Sequence, residues 1–410
     1  MFNGTKTNKA LAKIQVILGL AMVLFTNSAC ERKDLFLRVD VINVSVEISD
    51  IRLNLLWGVD WQTDWNYTWN ESAVNYGTMG YTEPELIKGT IYNVDRNTGK
   101  RYSSFFKIFG SNGGRVALSA GSTYDMMFYN FGTEYTSFYQ SDDYYTYTAS
   151  TRVSTQTSWI RTRAQNEFSD MPDTTKSYID HNQPDELFGT LVTGLSVNED
   201  PTIYKKEYDA DGNISYVYRI EAALRPYSFI YMYQIIVINN KDEQGNRVVG
   251  ANGLTVTGLS QGVEMFSRKT FNNTISISTE DIKPMQHHTD VKLKDGREYD
   301  KADILAARIL TWGLPGMNPL ESTKAGTKAP EIDNNYIGIG LMLRNGYTFT
   351  LTRNITEEMH DSPAGGVITI VFDANEIPQE ILDRKPKPNN GGFNASVENW
   401  ANEMNAEMVI

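Results

Sequence analysis

The chain has 410 residues, of which 40% are apolar and 21% are charged, enough for two domains of ordinary size. This composition excludes a disordered or collagen-like chain. The formal net charge of −12 argues against nucleic-acid binding, because such binding depends on cations that replace phosphate counterions. Four histidines and one cysteine are too few to favour a zinc, haem, iron–sulfur or disulfide-built site, so we expect no metal or cofactor.

Residues 1–29 have the parts of a secretory signal peptide. The first part is positively charged, with Lys6, Lys9 and Lys13 and no acidic residue, and an apolar run follows at Ile14–Phe25. This run is shorter than the ~20 residues that span a bilayer. No later segment of the sequence is continuously apolar over the length that a membrane-spanning helix needs. We therefore expect a chain that is anchored to a membrane and does not cross it.

The single cysteine follows the signal directly. Ser28 and Ala29 stand before Cys30 and resemble a bacterial lipobox, although Asn27 occupies a position that is usually aliphatic. In such signals the cysteine receives a diacylglycerol and becomes the mature N-terminus. We therefore predict lipid attachment at Cys30, which also accounts for an unpaired cysteine in an exported protein. The alternative is an ordinary cleaved signal with an incidental cysteine.

The body of the chain is predicted to consist of strands separated by turns. The run Tyr227–Ile238, opened by Pro226, is apolar on both faces, so we expect a central strand covered on both sides. Asp295-Gly296 and Asn345-Gly346 are two-residue hairpin signals. The other predicted strands are Val39–Ile48, Ile51–Leu55, Arg115–Ser119, Tyr124–Phe131, Ile214–Ala222 and Val367–Phe372.

Many short strands with frequent turns predict an all-β fold of antiparallel β-sandwiches. The segment 165–186 is polar, contains Pro172 and Pro184 and lacks periodicity, so we place a domain boundary there. The predicted organisation is a signal peptide at 1–29, an N-terminal sandwich at 30–164, a linker at 165–186, a C-terminal sandwich at 187–383, and a linker with a terminal helix at 384–410.

The terminal segment is predicted to form a short amphipathic helix. Its apolar side chains recur at four- and three-residue steps at Phe393, Val397, Trp400, Met404 and Met408. A helix of this length is marginal alone, so its apolar stripe must dock on the adjacent sandwich or on a partner.

Tryptophans recur every four residues at Trp57, Trp61, Trp65 and Trp69. The glycine, aspartate and asparagine residues between them argue against a helix. Two interpretations stay open. Either some of these side chains belong to a core and the others cover a sheet edge, or they form an aromatic platform that stacks on sugar rings or on a partner.

The sequence gives little indication of catalysis. There is no phosphate-binding glycine loop, and no pair of carboxylates stands out among the 50 acidic residues. His287 and His288 are neighbours, and on a strand they would point to opposite faces, which disfavours a shared metal ion. We therefore expect a protein that is not an enzyme.

Several short motifs follow one another along most of the chain, beginning at the predicted mature N-terminus. They are Cys30–Leu35, Leu118–Asp125, Tyr129–Glu134, Asn354–Glu357, Ile377-Pro378 and the Phe393, Val397, Trp400 tail. In this order they resemble one family, the fimbrial anchor and accessory surface lipoproteins of the Bacteroidales, which are related to fimbrillins.

The resemblance implies a fold of two transthyretin-like β-sandwiches. It also implies an anchor, accessory or tip subunit of a fimbrium at the outer membrane, with fimbrillin-like subunits as partners joined by strand addition. The alternative is a stand-alone surface lipoprotein that binds carbohydrate through the tryptophans at 57–69.

Overall fold

The computed structural model describes residues 41–50, 65–73, 76–140, 146–154, 178–208, 210–241, 247–322 and 335–386, with only the backbone at 41–50 and 103–104. Cys30, Trp57, Trp61 and the predicted terminal helix lie outside these residues. Among the described residues no helix has the length and apolar character to cross a membrane.

The described chain is built from strands, which confirms the all-β prediction. The strands are β1 (Val41–Asp50), β2 (Leu86–Val94), β3 (Arg101–Gly110), β4 (Gly114–Ser119), β5 (Thr123–Asn130), β6 (Thr136–Tyr139), β7 (Thr148–Thr151), β8 (Asp180–His181), β9 (Phe188–Ser196), β10 (Lys205–Tyr208), β11 (Ile214–Pro226), β12 (Phe229–Ile238), β13 (Val248–Ser260), β14 (Gly262–Glu264), β15 (Thr274–Thr279), β16 (Ile282–Lys292), β17 (Glu298–Thr311), β18 (Tyr336–Leu343), β19 (Thr348–Asn354) and β20 (Gly366–Asp373). The helices are short: α1 (Pro319–Ser322), α2 (Thr356–Asp361), α3 (Gln379–Leu382), and 3-10 turns at Pro201–Ile203 and Ala374–Glu376.

The first sheet curls over onto itself to form one sandwich. Its strands run in the order β3-β2-β5-β9-β11-β1-β4, and β10 pairs with β11. Val116 and Leu118 of β4 share one apolar core with Met126 and Phe128 of β5, although these strands are far apart in the sheet. The long strand β11 permits the curl, because it pairs with β1 along most of its length and with β9 at its end.

Two sheets form the second sandwich, with strand orders β16-β17-β12-β20 and β19-β18-β13-β15-β8. Its core includes Tyr233 and Ile235 of β12 together with Ile339 and Leu341 of β18. The strand β12 is buried on both faces and lies between β17 and β20, as predicted from its apolar run. Most pairs are antiparallel, but β1 with β11, β12 with β20 and β8 with β15 are parallel.

A small sheet, β14-β7-β6, connects the two sandwiches. The buried rings of Tyr129 from the first sandwich, Tyr147 beside β7, and Trp312 after β17 share one apolar cluster there. Arg268 adds a polar connection, since its guanidinium lies 4.1 Å from the Tyr227 ring centre and donates to the Gly189 carbonyl at 2.6 Å. Desolvation by burial lowers the pKa of Arg268.

The chain leaves the first sandwich later than the predicted boundary at 165–186. The strands β9, β10 and β11, which follow that segment, all pair within the first sheet. The passage to the second sandwich comes directly after Pro226, which ends β11 instead of opening the next strand. Periodicity indicates where strands lie along the chain, but it does not specify the strands with which they pair.

Both hairpin signals mark turns, but each loop has three residues, so the two-residue prediction is wrong. The Leu293 amide donates to the Arg297 carbonyl at 2.9 Å, and the Leu343 amide donates to the Tyr347 carbonyl at 2.8 Å. Gly296 has a φ of +86°, the left-handed value that follows a type I turn in a three-residue loop.

One glycine tests how closely the backbone before β20 packs against the central strand β12. Gly365 has a φ of +91°, and a Cβ there would collide with the Ile230 carbonyl oxygen of β12. We expect Gly365→Ala to lower the free energy of unfolding by about 3 kcal/mol, since backbone strain and overpacking add together.

The matched control is Gly99→Ala, at a φ of +67° with nothing within 4 Å of the added Cβ. It carries the strain alone, so we expect a loss of about 1 kcal/mol. Urea denaturation of both variants measures the difference, and equal losses would contradict the close approach of Gly365 to β12.

Candidate functional site

Residues 65–81 cover the outer face of the sheet β16-β17-β12-β20. We call this segment the strap; residues 74–75 within it are not described. Trp65 and Trp69 pack against the outward side chains of β12 and β17, including Ile236 and Ile304. Their rings lie 6.5 Å apart between centroids. The strap explains why β12 is buried on its outer face as well as toward the core.

Side chains of the sheet hold the strap through its backbone. The Gln234 side chain accepts from the Asn66 amide at 3.0 Å. Gln286 accepts from the Thr68 amide and donates to the Thr68 carbonyl, both at 2.9 Å. At the other end, Arg308 donates to the carbonyls of Met79 at 3.2 Å and Gly80 at 3.1 Å. Amide and guanidinium groups thus satisfy backbone polar groups that a strand partner would otherwise satisfy.

A buried lysine stands beneath the strap. The side chain of Lys283 is 1% exposed, and its ammonium lies 5.3 Å from the Trp69 ring centre and 5.6 Å from that of Tyr76. It also donates to Asp281 at 2.5 Å. Burial, followed by the hydrogen bond between the Tyr67 and Tyr76 hydroxyls, raises the pKa of Tyr67 far above its usual range, so the Tyr67 hydroxyl stays protonated and donates to the Pro284 carbonyl.

The two described tryptophans therefore pack their rings against a sheet face of the protein itself. The choice between the two interpretations of the four tryptophans stays open. Trp57 and Trp61 lie outside the described residues, and a platform that includes them stays a prediction.

The first sandwich has an end strand with exposed apolar side chains, which the sequence analysis did not single out. The strand β3 is at the end of the first sheet and pairs with β2. Phe106 is 61% exposed, Tyr102 50% and Ile108 45%. The Ser-Ser pair in this strand coincides with a register shift opposite Ile91 and Tyr92, which interrupts the period-two pattern. The dense run of aromatic residues at 105–109 is the signal that could have revealed it.

A cleft of about 680 Å³ lies beside the end of β12. At its wall, Asp303 accepts from Asn240 at 2.5 Å, from Arg247 at 3.4 Å and from His287. His288 instead contacts the Gln286 side chain, and burial lowers the pKa of His288. The two histidines thus have different partners, as expected for neighbours on a strand. Within the described part of the chain no group of three or more His, Cys, Asp or Glu could hold a metal ion.

No family model matches this chain, and no curated protein matches it. Solved structures do resemble it over most of its length. A candidate adhesin from Bacteroides ovatus is 15% identical and has a TM-score of 0.42, covering 85% of this chain and 98% of its own. A candidate polysaccharide-binding protein from Bacteroides thetaiotaomicron is 6% identical with a TM-score of 0.36, covering 81% of this chain and 91% of its own.

The fimbrial anchor protein Mfa2 from Porphyromonas gingivalis is 10% identical with a TM-score of 0.32, covering 80% of this chain and 90% of its own. All three TM-scores are below 0.5, so the proposals below depend on the residues of this chain.

The attachment of the strap can be tested at Arg308. Its guanidinium joins the strap carbonyls to Glu186, which it contacts at 2.6 Å. We expect Arg308→Met to cost about 2 kcal/mol in urea denaturation, because charged hydrogen bonds are lost and the Glu186 carboxylate loses its ion-pair partner. Limited proteolysis within 65–81 should become faster.

The control is Arg353→Met, which removes a more exposed ion pair with Glu376. We expect it to cost less than about 1 kcal/mol and to leave cleavage of the strap unchanged. Equal effects of the two variants would contradict the role assigned to Arg308.

Proposed function

We propose that this protein is a non-catalytic, lipid-anchored surface protein that serves as an anchor or accessory subunit of a fimbrium. It attaches to the outer membrane through Cys30 and binds other fimbrillin-like subunits by strand addition. The observation that carries the proposal is the exposed end strand β3. Among the described residues no strand forms a ladder with its outer backbone edge, so another chain can pair there.

The family-like motifs serve the architecture of the first sandwich. In the stretch Leu118–Asp125, the Tyr124 hydroxyl accepts from the Ser119 amide at 3.0 Å, and Asp125 accepts from the Gly194 amide at 2.6 Å. Such residues fix a fold, and none of these contacts forms a catalytic arrangement. Their pattern therefore supports a binding protein of this architecture.

The stretch Tyr129–Glu134 connects β5 to the segment before β9. Asn130 donates to the Glu186 carbonyl at 2.7 Å and accepts from the Phe188 amide at 2.6 Å. The Glu134 amide donates to Asp185 at 3.0 Å. These contacts fasten residues 185–188 to the first sandwich. They support a rigid module that is suited to binding other subunits.

The signal-like N-terminus supports a surface location. Acylation of Cys30 buries hydrocarbon worth about 0.8 kcal/mol for each methylene, and several chains together give stable anchoring. The same modification consumes the only cysteine of the chain. An anchored sandwich with an open sheet edge is suited to holding extracellular subunits at the membrane.

Co-isolation from membranes tests this function. From cells of the native host that bear fimbriae, the wild-type protein should be recovered in the membrane fraction together with fimbrillin-like subunits. Cys30→Ser should lose membrane retention, because no acyl chain is attached, and should move the bound subunits with it.

Unchanged membrane retention of Cys30→Ser would contradict lipidation. Recovery of the protein without other subunits would contradict the fimbrial role. If that protein then binds a glycan array and Trp61→Ala abolishes the binding, the carbohydrate-binding alternative is the correct one.

A further inference from the structure

The first sheet is open at one seam, between β3 and β4. These are the two end strands of the sheet order, yet they are consecutive in the chain. A tight turn joins them, in which the Gly113 amide donates to the Gly110 carbonyl at 2.9 Å. Beyond that bridge, no ladder joins them among the described residues, since β3 pairs with β2 and β4 pairs with β1. The curled sheet therefore brings its two edges together at the turn without closing.

A lysine side chain reaches across this seam. The Lys107 ammonium on β3 donates to the Arg115 carbonyl on β4. Lys107 is two residues from Phe109, which is 2% exposed and belongs to the core, so it lies on the same face of β3 as Phe109, with its own side chain exposed. A lysine on an edge strand is one of the devices by which proteins prevent edge strands from pairing at random.

Apolar side chains with cations above them surround the seam. Phe106 has the Lys88 ammonium 4.9 Å from its ring centre, and Tyr102 has the Lys100 ammonium at 5.2 Å. Both rings are at least half exposed. Together with Ile108, they form an aliphatic and aromatic surface with positive charge, next to an available backbone edge.

The charge of this region is opposite to that of the whole chain. Residues 86–119, which form β2, β3 and β4, contain six basic residues and one acidic residue, whereas the chain has a net charge of −12. The acidic residue, Asp95, accepts from the Asn97 and Thr98 amides of its own turn. Arg101 and Arg115 pair with Asp125 and Glu207. The three lysines keep the seam positive.

We propose that the seam binds an extended, acidic segment of a partner protein, which adds to β3 as a further strand. Its backbone pairs with β3, its acidic side chains meet Lys107 on one face of the strand, and its apolar side chains cover Phe106 and Ile108 on the other face. The Lys107 ammonium then exchanges the Arg115 carbonyl for a carboxylate. A second copy joined through β3 is disfavoured, because a symmetric interface would place lysine against lysine. The proposal rests on the strand-addition function and specifies its position and partner chemistry.

Peptide binding to the full-length protein tests the proposal. The probe is a fluorescein-labelled peptide of alternating valine and glutamate with the ten-residue length of β3, and its match alternates valine and lysine. In fluorescence anisotropy we expect the glutamate peptide to bind at least about tenfold more tightly. Phe106→Ser and Lys107→Glu should each weaken its binding about tenfold, whereas Lys385→Glu, the same charge change in an exposed residue outside the seam, should not.

Circular dichroism identifies any variant that fails to fold, and the two seam variants serve as independent checks. Equal binding of both peptides, or equal effects of Lys107→Glu and Lys385→Glu, would overturn the proposal. Lys107-dependent binding to phosphatidylglycerol vesicles without peptide binding would also overturn it, in favour of a lipid surface.

If fimbrial subunits co-isolate while the peptide does not bind, the proposal for the seam is refuted and the proposed function stands. If the peptide binds the seam while no subunits co-isolate, only the fimbrial function is refuted.

Discussion

The central constraint in this molecule is that backbone amides and carbonyls at the edge of a sheet need partners. A closed barrel satisfies all of them, whereas an open sheet leaves two edges. The first sheet comes close to closure, because β11 pairs with strands on both arms and lets the sheet enclose one core. It stops short of closure at the single turn between β3 and β4. Among the described strands, the geometry of this sandwich therefore brings the unpaired edges of β3 and β4 together at one place, apart from the short strand β10, which pairs only with β11.

The second sandwich shows how the same chain treats an apolar surface that must stay covered. The outer face of β12 and β17 carries isoleucine, methionine and leucine side chains, and the strap covers them with Trp65 and Trp69. Gln234, Gln286 and Arg308 then satisfy the strap backbone. No described segment covers the apolar side chains of β3 in this way, and Phe106 is more than half exposed. This contrast within one protein is the physical basis for assigning a binding role to β3 and a structural role to the strap.

Sequence patterns predicted the strands whose burial is evident from a local run of apolar residues. β12 was evident because both of its faces are apolar, and β5 and β20 because they are short apolar runs between turns. The partners of the strands could not be predicted, since β11 reads as an ordinary strand and yet joins two arms of a sheet. The tryptophan spacing indicated an aromatic cluster but could not distinguish a cover from a platform, because both use the same residue types. The strand β3 escaped notice because a register shift interrupts its alternation.

Hydrogen–deuterium exchange of the isolated protein tests the open seam most directly. If β3 is an unpaired edge, the amides of 101–110 that point away from β2 should exchange rapidly, as solvent-exposed backbone does, while those of β12 stay protected by β17 and β20. Uniform protection of β3 at the level of β12 would contradict the account, because it would mean that the edge is already paired.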